Sequence, residues 1–424
     1  MEDTTPHILD TVAILLTLTA VFSWVNAKYL RLPHSVALVL AGLTVSVVLL
    51  LSSVSFPGLG LADGLRNGIQ LIDFSRALLD GMLAFMLFAG GMQIDFDEMR
   101  GRRITIGILA VAGTLISVAV IGTAFWGVAM LFGIDLPLIW ALVFAALISP
   151  TDPVAVLVTL KSSKLPSRIK IVMQGESLFN DGVGIVLFAA FIQIADGDAS
   201  LGIGHILVDM VIETGGGIAL GAAAGYLTYL AIRAIDEHAI TVLLTIALVS
   251  AAYALAHHIH VSGPIAMVVA GLLIGNRGAS RGMSEQTRRY VDSFWILVGE
   301  ILDSLLFFLV GLEVLLIHLD YAHIGLTLLA IPIAVAARVL SIAIALPASG
   351  HWRGIRASSV TLMTWGGVRG GISIALALSI QDETFRGMIL SATYAVVLFT
   401  IVGFGLTISG VARRLYPEEP KDHS

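Results

Sequence analysis

The sequence predicts an all-α polytopic membrane protein with about thirteen transmembrane helices, and three observations lead to this fold class. Hydrophobic residues make up 57% of the 424-residue chain and charged residues only 13%, with a mean hydropathy of +0.94, whereas soluble domains carry about 25% charged residues. Apolar runs of roughly 20 residues, the length that crosses a bilayer as a helix, recur along the chain. Lys and Arg fall mainly in alternate loops between these runs.

The apolar runs are continuous rather than alternating with a period of two, so helices are favoured over a β-barrel. Thirteen runs are found, and the ninth, around residues 264–275, is short. They centre near residues 18, 43, 84, 118, 147, 183, 217, 248, 268, 306, 335, 369 and 400. No polar block is long enough for a separate soluble domain, so we expect one membrane domain over residues 1–412 and a short tail over residues 413–424.

The positive charges predict the orientation of the helices. Of the 24 Lys and Arg residues, 19 lie on one side when the loops are assigned alternately, three lie on the other, and Arg338 and Arg369 lie within spans. By the positive-inside rule the 19-residue side is cytoplasmic. We therefore expect a multi-pass protein of the cell (inner) membrane, with its N-terminus outside and its C-terminus in the cytoplasm.

The fifth predicted helix is interrupted near the middle of the membrane. Pro150 and Pro153 flank Thr151 and Asp152, and each proline removes an amide donor and disfavours helical geometry in the residue before it. A simple proline kink is the alternative, but a kink does not require an acid at mid-depth. We expect the helix to unwind here.

The twelfth predicted helix has a second interruption, where Arg369 stands between the pairs Gly366–Gly367 and Gly370–Gly371. Glycine pairs also mark close helix packing in membranes, so the glycines alone leave both interpretations open. The buried arginine favours a break. Spans five and twelve run in opposite directions on this topology, and two interrupted helices in inverted positions indicate inverted repeats with a transporter binding site at the midplane.

Span six opens with four polar residues: Glu176, Ser177, Asn180 and Asp181. At about 100° per residue, Ser177 and Asp181 lie about 40° apart on the helix, and Asn180 shares their face. Glu176 lies about 140° from Asp181 by the same count. Glu176 is therefore expected to support the site rather than to form its centre.

Carboxylates within membrane helices cost roughly 2.5 to 3.5 kcal/mol each on insertion scales, so their presence argues for function. Three of them, Asp152, Glu176 and Asp181, lie near the two breaks, and only two buried arginines are available to neutralise them. One acid must therefore bind a proton or a cation. The predicted structural ion pairs are drawn from Glu176, Arg338, Arg369 and Asp303.

The donor set near the breaks predicts the ligand. Oxygen atoms suit a hard cation such as Na+, and the chain has no cysteine for a soft-metal site. H+ and Na+ that neutralise the same carboxylate compete, and exposure of that site to alternate faces gives exchange without a cofactor. The predicted Na+ ligands are Asp181, Asp152, Ser177 and Thr151, and Asn180 and Glu176 complete the substrate-binding set.

Four segments carry a family resemblance: Ser149-PTDPVAVL, Gly175-ESLFNDGVGIVLF, Asp303-SLLFFLVGLEV and Thr364-WGGVRGGISIALAL. They resemble those of the NhaP-type monovalent cation:proton antiporters, the branch that includes the animal Na+/H+ exchangers. The resemblance implies thirteen helices, a homodimer, and a mobile core, over residues of about 104–194 and 324–412, with crossed, unwound helices five and twelve. The remaining spans would form a dimerisation domain.

The resemblance also implies roles for single residues. Asp181 would carry the cation or proton, with Asp152, Ser177 and Thr151 as further ligands. Glu176 would bridge to Arg338. Asn180 stands where the electrogenic branch has a second aspartate, which implies electroneutral exchange. Span three has Ala89-Gly90-Gly91 where some relatives have an acid, so the resemblance leaves the partner of Arg369 open.

Three other functions compete with Na+/H+ antiport. A K+/H+ exchanger of the same family has the same motifs. An intramembrane aspartyl protease would use Asp152 and Asp181 as paired acids, but it gives no role to Ser177 or Arg338. A membrane scaffold would not keep costly acids at two helix breaks. We therefore expect a transporter rather than an enzyme, with Na+, H+ and the lipid bilayer as partners and no nucleic acid.

Overall fold

The protein is all-helical in the part of the chain that the computed structural model describes. The described residues are 8–55, 77–152, 167–197, 203–278, 282–314, 323–350 and 357–416. The first seven helices are α1 (Ile8–Val25), α2 (His34–Ser55), α3 (Leu83–Met92), α4 (Arg103–Leu131), α5 (Leu138–Ile148), α6 (Ser167–Ala195) and α7 (Ile203–Arg233). The others are α8 (His238–His258), α9 (Gly263–Leu273), α10 (Glu285–Glu313), α11 (Ile324–Ala348), α12, in two halves (Ala357–Trp365 and Gly371–Leu378), and α13 (Glu383–Leu415).

Twelve of the thirteen predicted span centres fall on one of these helices, and the centre at residue 369 falls between the halves of α12. Nine of the helices in the described residues are long and apolar enough to cross a membrane. The helices α3, α5 and α9 are shorter, as predicted for the ninth span. The all-α membrane fold predicted from hydropathy is confirmed.

Local sequence signals begin several of the helices. The side chains of Ser262, Ser284 and Asp382 each accept a hydrogen bond from a backbone N–H in the first turn of α9, α10 and α13. Such caps satisfy donors that the helix itself leaves without partners. The helix starts therefore follow from the residue types at these positions.

Close packing of α2 against α10 depends on two glycines. A Cβ atom on Gly42 would lie 2.3 Å from the carbonyl oxygen of Phe308, and one on Gly311 would lie 2.3 Å from that of Val39. Any larger residue would push the helices apart, since real Cβ atoms do not approach backbone oxygens so closely. Ser46 Oγ also donates a hydrogen bond to the Gly311 carbonyl at 3.1 Å. Close packing at the two glycines and the hydrogen bond from Ser46 thus hold α10 against α2.

The helices pack in two groups. In one, α4 packs on α5 and α11, α6 packs on α5, and α13 packs on α11 and on the second half of α12. In the other, α2 packs on α10, and α9 packs on α3 and α7. The first group contains the predicted core, although the inverted repeats and the division into core and dimerisation domain stay predictions. Pro153, the rest of span five and tail residues 417–424 lie outside the described residues.

Candidate ion-binding site

Helical geometry stops at both predicted breaks. The helix α5 ends at Ile148, and the backbone through Thr151 and Asp152 is not helical. The first half of α12 ends at Trp365, and the second half starts at Gly371. Proline on one helix and the glycine pairs on the other interrupt the ladder of hydrogen bonds, as their backbone chemistry predicts.

The two breaks lie against each other. The backbone N–H of Asp152 donates to the carbonyl oxygen of Val368 at 2.7 Å. The guanidinium of Arg369 donates to the carbonyl of Pro150 at 2.9 Å and also to the carbonyl of Ser149. Backbone groups that each helix leaves free at its break are therefore satisfied by the other helix, as a nonpolar environment requires.

Charged side chains complement the helix ends at this crossing. The cationic Arg369 lies at the C-terminal end of α5, where carbonyl oxygens carry the negative end of the helix dipole. The carboxylate of Asp152 lies at the start of the second half of α12, because a Cβ atom on Gly370 would be 3.1 Å from Asp152 Oδ2. Each half-helix thus ends next to a charge of opposite sign.

The helix α6 holds the break of α5 in place through Thr151. Ser177 Oγ donates to the Thr151 carbonyl. Asn180 Nδ2 donates to Thr151 Oγ1 at 3.0 Å, and the Thr151 N–H donates to Asn180 Oδ1 at 3.4 Å. All three residues are buried. The polar face predicted for span six therefore contacts the unwound part of span five.

Asp181 lies on the same face of α6 and is only partly buried, as is Asp152. Asp152 follows Thr151, and Asp181 follows Asn180, so the hydrogen bonds between Thr151 and Asn180 bring the two acids to the same place. Two neighbouring carboxylates in a site of low polarity repel each other and favour neutralisation of one of them. A proton and a small cation are the simplest agents for that neutralisation, so the geometry suits competition between them.

Glu176 forms the predicted ion pair with Arg338. The two carboxylate oxygens accept hydrogen bonds from the two terminal nitrogens of the guanidinium, one of them at 3.0 Å. Both side chains are buried, with 2% and 6% of their residues' surfaces exposed. The charges of Glu176 and Arg338 therefore neutralise each other. The other charged residues at the crossing are Asp152, Asp181 and Arg369.

Residues 14–414 of the chain match the family described as sodium/hydrogen exchanger, transmembrane. The chain belongs to this exchanger family. The Na+/H+ antiporter NhaP of Pseudomonas aeruginosa is 40% identical over 421 residues, which is 98% of this chain and 99% of that protein. The Na+/H+ antiporter NhaH of Halobacillus dabanensis is 36% identical, over 92% of this chain and 93% of its own length.

The same fold occurs in the sodium proton antiporter MjNhaP1 from Methanocaldococcus jannaschii, whose structure at pH 8 has been solved. It matches with a TM-score of 0.74 over 94% of this chain and 98% of that chain. Only 18% of the aligned residues are identical. The resemblance to NhaP-type antiporters drawn from the motifs is thus confirmed at the level of family and fold, and the family consists of transporters rather than enzymes.

The exchanger structure corrects one predicted interaction. Asp303 was predicted to pair with an arginine, but Arg338 binds Glu176, and Arg369 binds the carbonyl oxygens of α5. Within the described residues neither arginine forms an ion pair with Asp303. The physical reason is that the carbonyls left free where α5 ends accept hydrogen bonds from Arg369, while Glu176 already binds Arg338.

Sequence reasoning also missed a residue of the exchanger site. The backbone N–H of Arg369 donates to Thr400 Oγ1 at 3.1 Å. Thr400 begins a π-helical turn, Thr400–Phe404, within α13, and such turns often occur at functional sites. A single threonine in an apolar span has no distinctive pattern, so only the folded chain connects it with the break.

A cavity of about 530 Å³ lies beside α6 in the exchanger. Its walls include Ile185 and Ala189 of α6, Glu213 of α7, and Tyr253 and His257 of α8. Ile185 follows Asp181 by four residues, which is a rise of about 6 Å along the helix. The part of α6 that lines the cavity thus begins about one helical turn from Asp181.

Proposed function

We propose that this chain is a secondary active antiporter that exchanges Na+ for H+ across the cell membrane. One observation carries the proposal: the partly buried acids Asp152 and Asp181 each lie next to one residue of the Thr151–Asn180 contact, which joins α6 to the crossing of α5 and α12. The relatives described above are named Na+/H+ antiporters, which supports the same substrates for this chain. The chain spans nearly the full length of both relatives.

In this mechanism H+ and Na+ compete for one site. Asp181 holds the proton or contributes oxygen to Na+, and Asp152 is the second acidic ligand. Ser177 donates its proton to the Thr151 carbonyl, but its oxygen keeps lone pairs for a cation. Thr151 likewise offers Oγ1 while it accepts a hydrogen bond from Asn180. Exposure of the loaded site to alternate faces then moves one ion inward and the other outward.

The oxygen donors of the site suit K+ as well as Na+. A K+/H+ antiporter of the same family is therefore the first alternative, and the transport assay must include K+. The intramembrane aspartyl protease is not supported, because the relatives described above are named as antiporters. Li+ is a third monovalent cation for the same test.

The assembly and orientation are also part of the proposal. We infer a homodimer in which α4–α6 and α11–α13 form the mobile core and the other spans form the dimerisation domain, as the family resemblance implies. The distribution of Lys and Arg supports an external N-terminus and a cytoplasmic C-terminus. The bacterial relatives support a location in the cell membrane.

The direct test uses purified protein in liposomes that contain a pH-sensitive dye. Addition of Na+ outside should raise the external proton concentration and lower the internal one only when the protein is present. Parallel additions of K+ and Li+ determine the selectivity. Absence of cation-dependent proton movement with all three ions would contradict the proposed antiport.

Exchange should be electroneutral, with one H+ for each Na+. A single carboxylate that changes its neutralising partner leaves the loaded carrier with the same charge in both directions, and Asn180 beside Asp181 adds no second acid. If K+ is not a substrate, a membrane potential imposed with K+ and valinomycin should leave the rate unchanged. A steady current that scales with turnover on a solid-supported membrane would instead show a second transported proton.

A further inference from the structure

Asp303 is an acid within α10 that the proposed mechanism does not use. It lies between Glu285 and Glu313, the ends of a helix long enough to span a membrane, and it is partly buried. Within the described part of the chain no lysine or arginine pairs with it, since Arg338 and Arg369 are bound elsewhere. An uncompensated carboxylate at this depth is costly. A proton or a cation from outside the protein's own side chains is therefore needed to neutralise it.

The packing of α10 places Asp303 beside the ion site. Leu306, on the same face of α10 one turn later, lies against the break of α12, because a Cβ atom on Gly371 would be 2.3 Å from Leu306 Cδ1. The neighbouring Gly370 lies against the Asp152 carboxylate. Asp303 therefore lies one turn along α10 from the residue that packs on the break of α12, and the Asp152 carboxylate lies at that same break.

Two further titratable groups near Asp303 in the described residues are Glu300 of α10 and His34 of α2. Glu300 lies one turn earlier on α10, is exposed, and repels Asp303. The ring of His34 forms a hydrogen bond of 2.8 Å with Ser304, the residue after Asp303. About three turns earlier on α10, Asp292 is paired with Arg288 at 3.5 Å. The charged side chains that bear on Asp303 within the described residues, Asp152 and Glu300, are therefore both acids.

We propose that Asp303 is an affinity-determining residue of the cation site, which acts through its field on a Na+ held between Asp152 and Asp181 without being one of its ligands. This role rests on the antiport proposed above. A negative charge within about 10 Å of a bound cation, in a medium of intermediate polarity, tightens binding on the order of tenfold. None of the proposed Na+ ligands comes from α10, so Asp303 would add a negative charge from a further helix.

The test compares Asp303→Asn, Asp303→Glu and the matched control Asp292→Asn on the same helix. Binding of radioactive Na+ to the purified protein in detergent is measured at alkaline pH, together with the Na+ dependence of exchange in liposomes. Asp303→Asn should weaken Na+ binding about tenfold and change the maximal rate little. Asp303→Glu should restore most of the affinity, and Asp292→Asn should keep it.

Unchanged Na+ affinity in Asp303→Asn would overturn the proposed role. Equal losses in Asp303→Asn and Asp303→Glu, with a lowered melting temperature in both, would also overturn it and make Asp303 a packing residue. Failure of the antiport itself is distinguishable, because the unaltered protein would then neither bind Na+ nor exchange it. The binding measurement needs no transport and therefore tests Asp303 separately from turnover.

Discussion

Asp181→Asn is expected to reduce Na+-driven proton movement in liposomes to the level of protein-free vesicles. The substitution keeps the size of the side chain but removes the charge that H+ and Na+ compete to neutralise. Asp152 alone then remains as an acidic ligand, and position 181 no longer has a carboxylate that can release a proton when Na+ binds. The variant should still insert and fold, because loss of a carboxylate from a membrane helix lowers the cost of burial.

Asp292→Asn is the matched control for this experiment. It makes the same chemical change in α10, where the partner Arg288 lies at the helix surface, and surface ion pairs contribute at most about 1 kcal/mol. Its exchange rate should equal that of the unaltered protein. Turnover at the unaltered rate in Asp181→Asn would remove Asp181 from the mechanism.

Loss of either partner of the buried ion pair should have the largest effect on stability. Glu176→Gln or Arg338→Ala leaves one charge buried without its partner, which typically costs about 3 to 5 kcal/mol. The melting temperature in detergent should therefore fall strongly in both variants, while the apparent Na+ affinity of the remaining folded protein changes less. We expect stability to change more than Na+ affinity because both carboxylate oxygens of Glu176 are bound to the guanidinium of Arg338.

Glu285→Gln provides the comparison at the surface. Its partner Arg289 lies one turn away on α10, and both side chains are largely exposed, at 80% and 76%. This variant should have the same melting temperature as the unaltered protein. An unchanged melting temperature in Glu176→Gln, together with a large loss of Na+ affinity, would make Glu176 a direct ligand instead of a structural residue.

The membrane helices and their breaks were predictable because they follow from local chemistry. The number of apolar runs long enough to cross a bilayer gives the number of spans. Pro150 and the glycines around Arg369 interrupt helical hydrogen bonding through their own backbone chemistry, whatever the tertiary structure. Helical spacing also placed Ser177, Asn180 and Asp181 on one face. All three now lie near the break of α5, as that spacing predicted.

The partners of the charged groups were harder to predict. Every residue has a backbone carbonyl oxygen, so the sequence does not show which of them an arginine will bind. Arg369, whose partner the sequence left open, binds the backbone carbonyls of Ser149 and Pro150. Thr400 joins the site through a contact between helices far apart in the chain. Family resemblance rather than spacing paired Glu176 with Arg338, since the helical count indicates only that Glu176 points away from Asp181.

The central claim, that H+ and Na+ compete at one site, is tested most directly by the Na+ dependence of exchange at a series of pH values in liposomes. Competition for one carboxylate predicts that the apparent Na+ constant rises about tenfold for each pH unit below the range where the site is deprotonated, with an unchanged maximal rate at saturating Na+. An apparent Na+ constant that stays the same while the maximal rate falls with pH would place the two ions at separate sites and contradict this account.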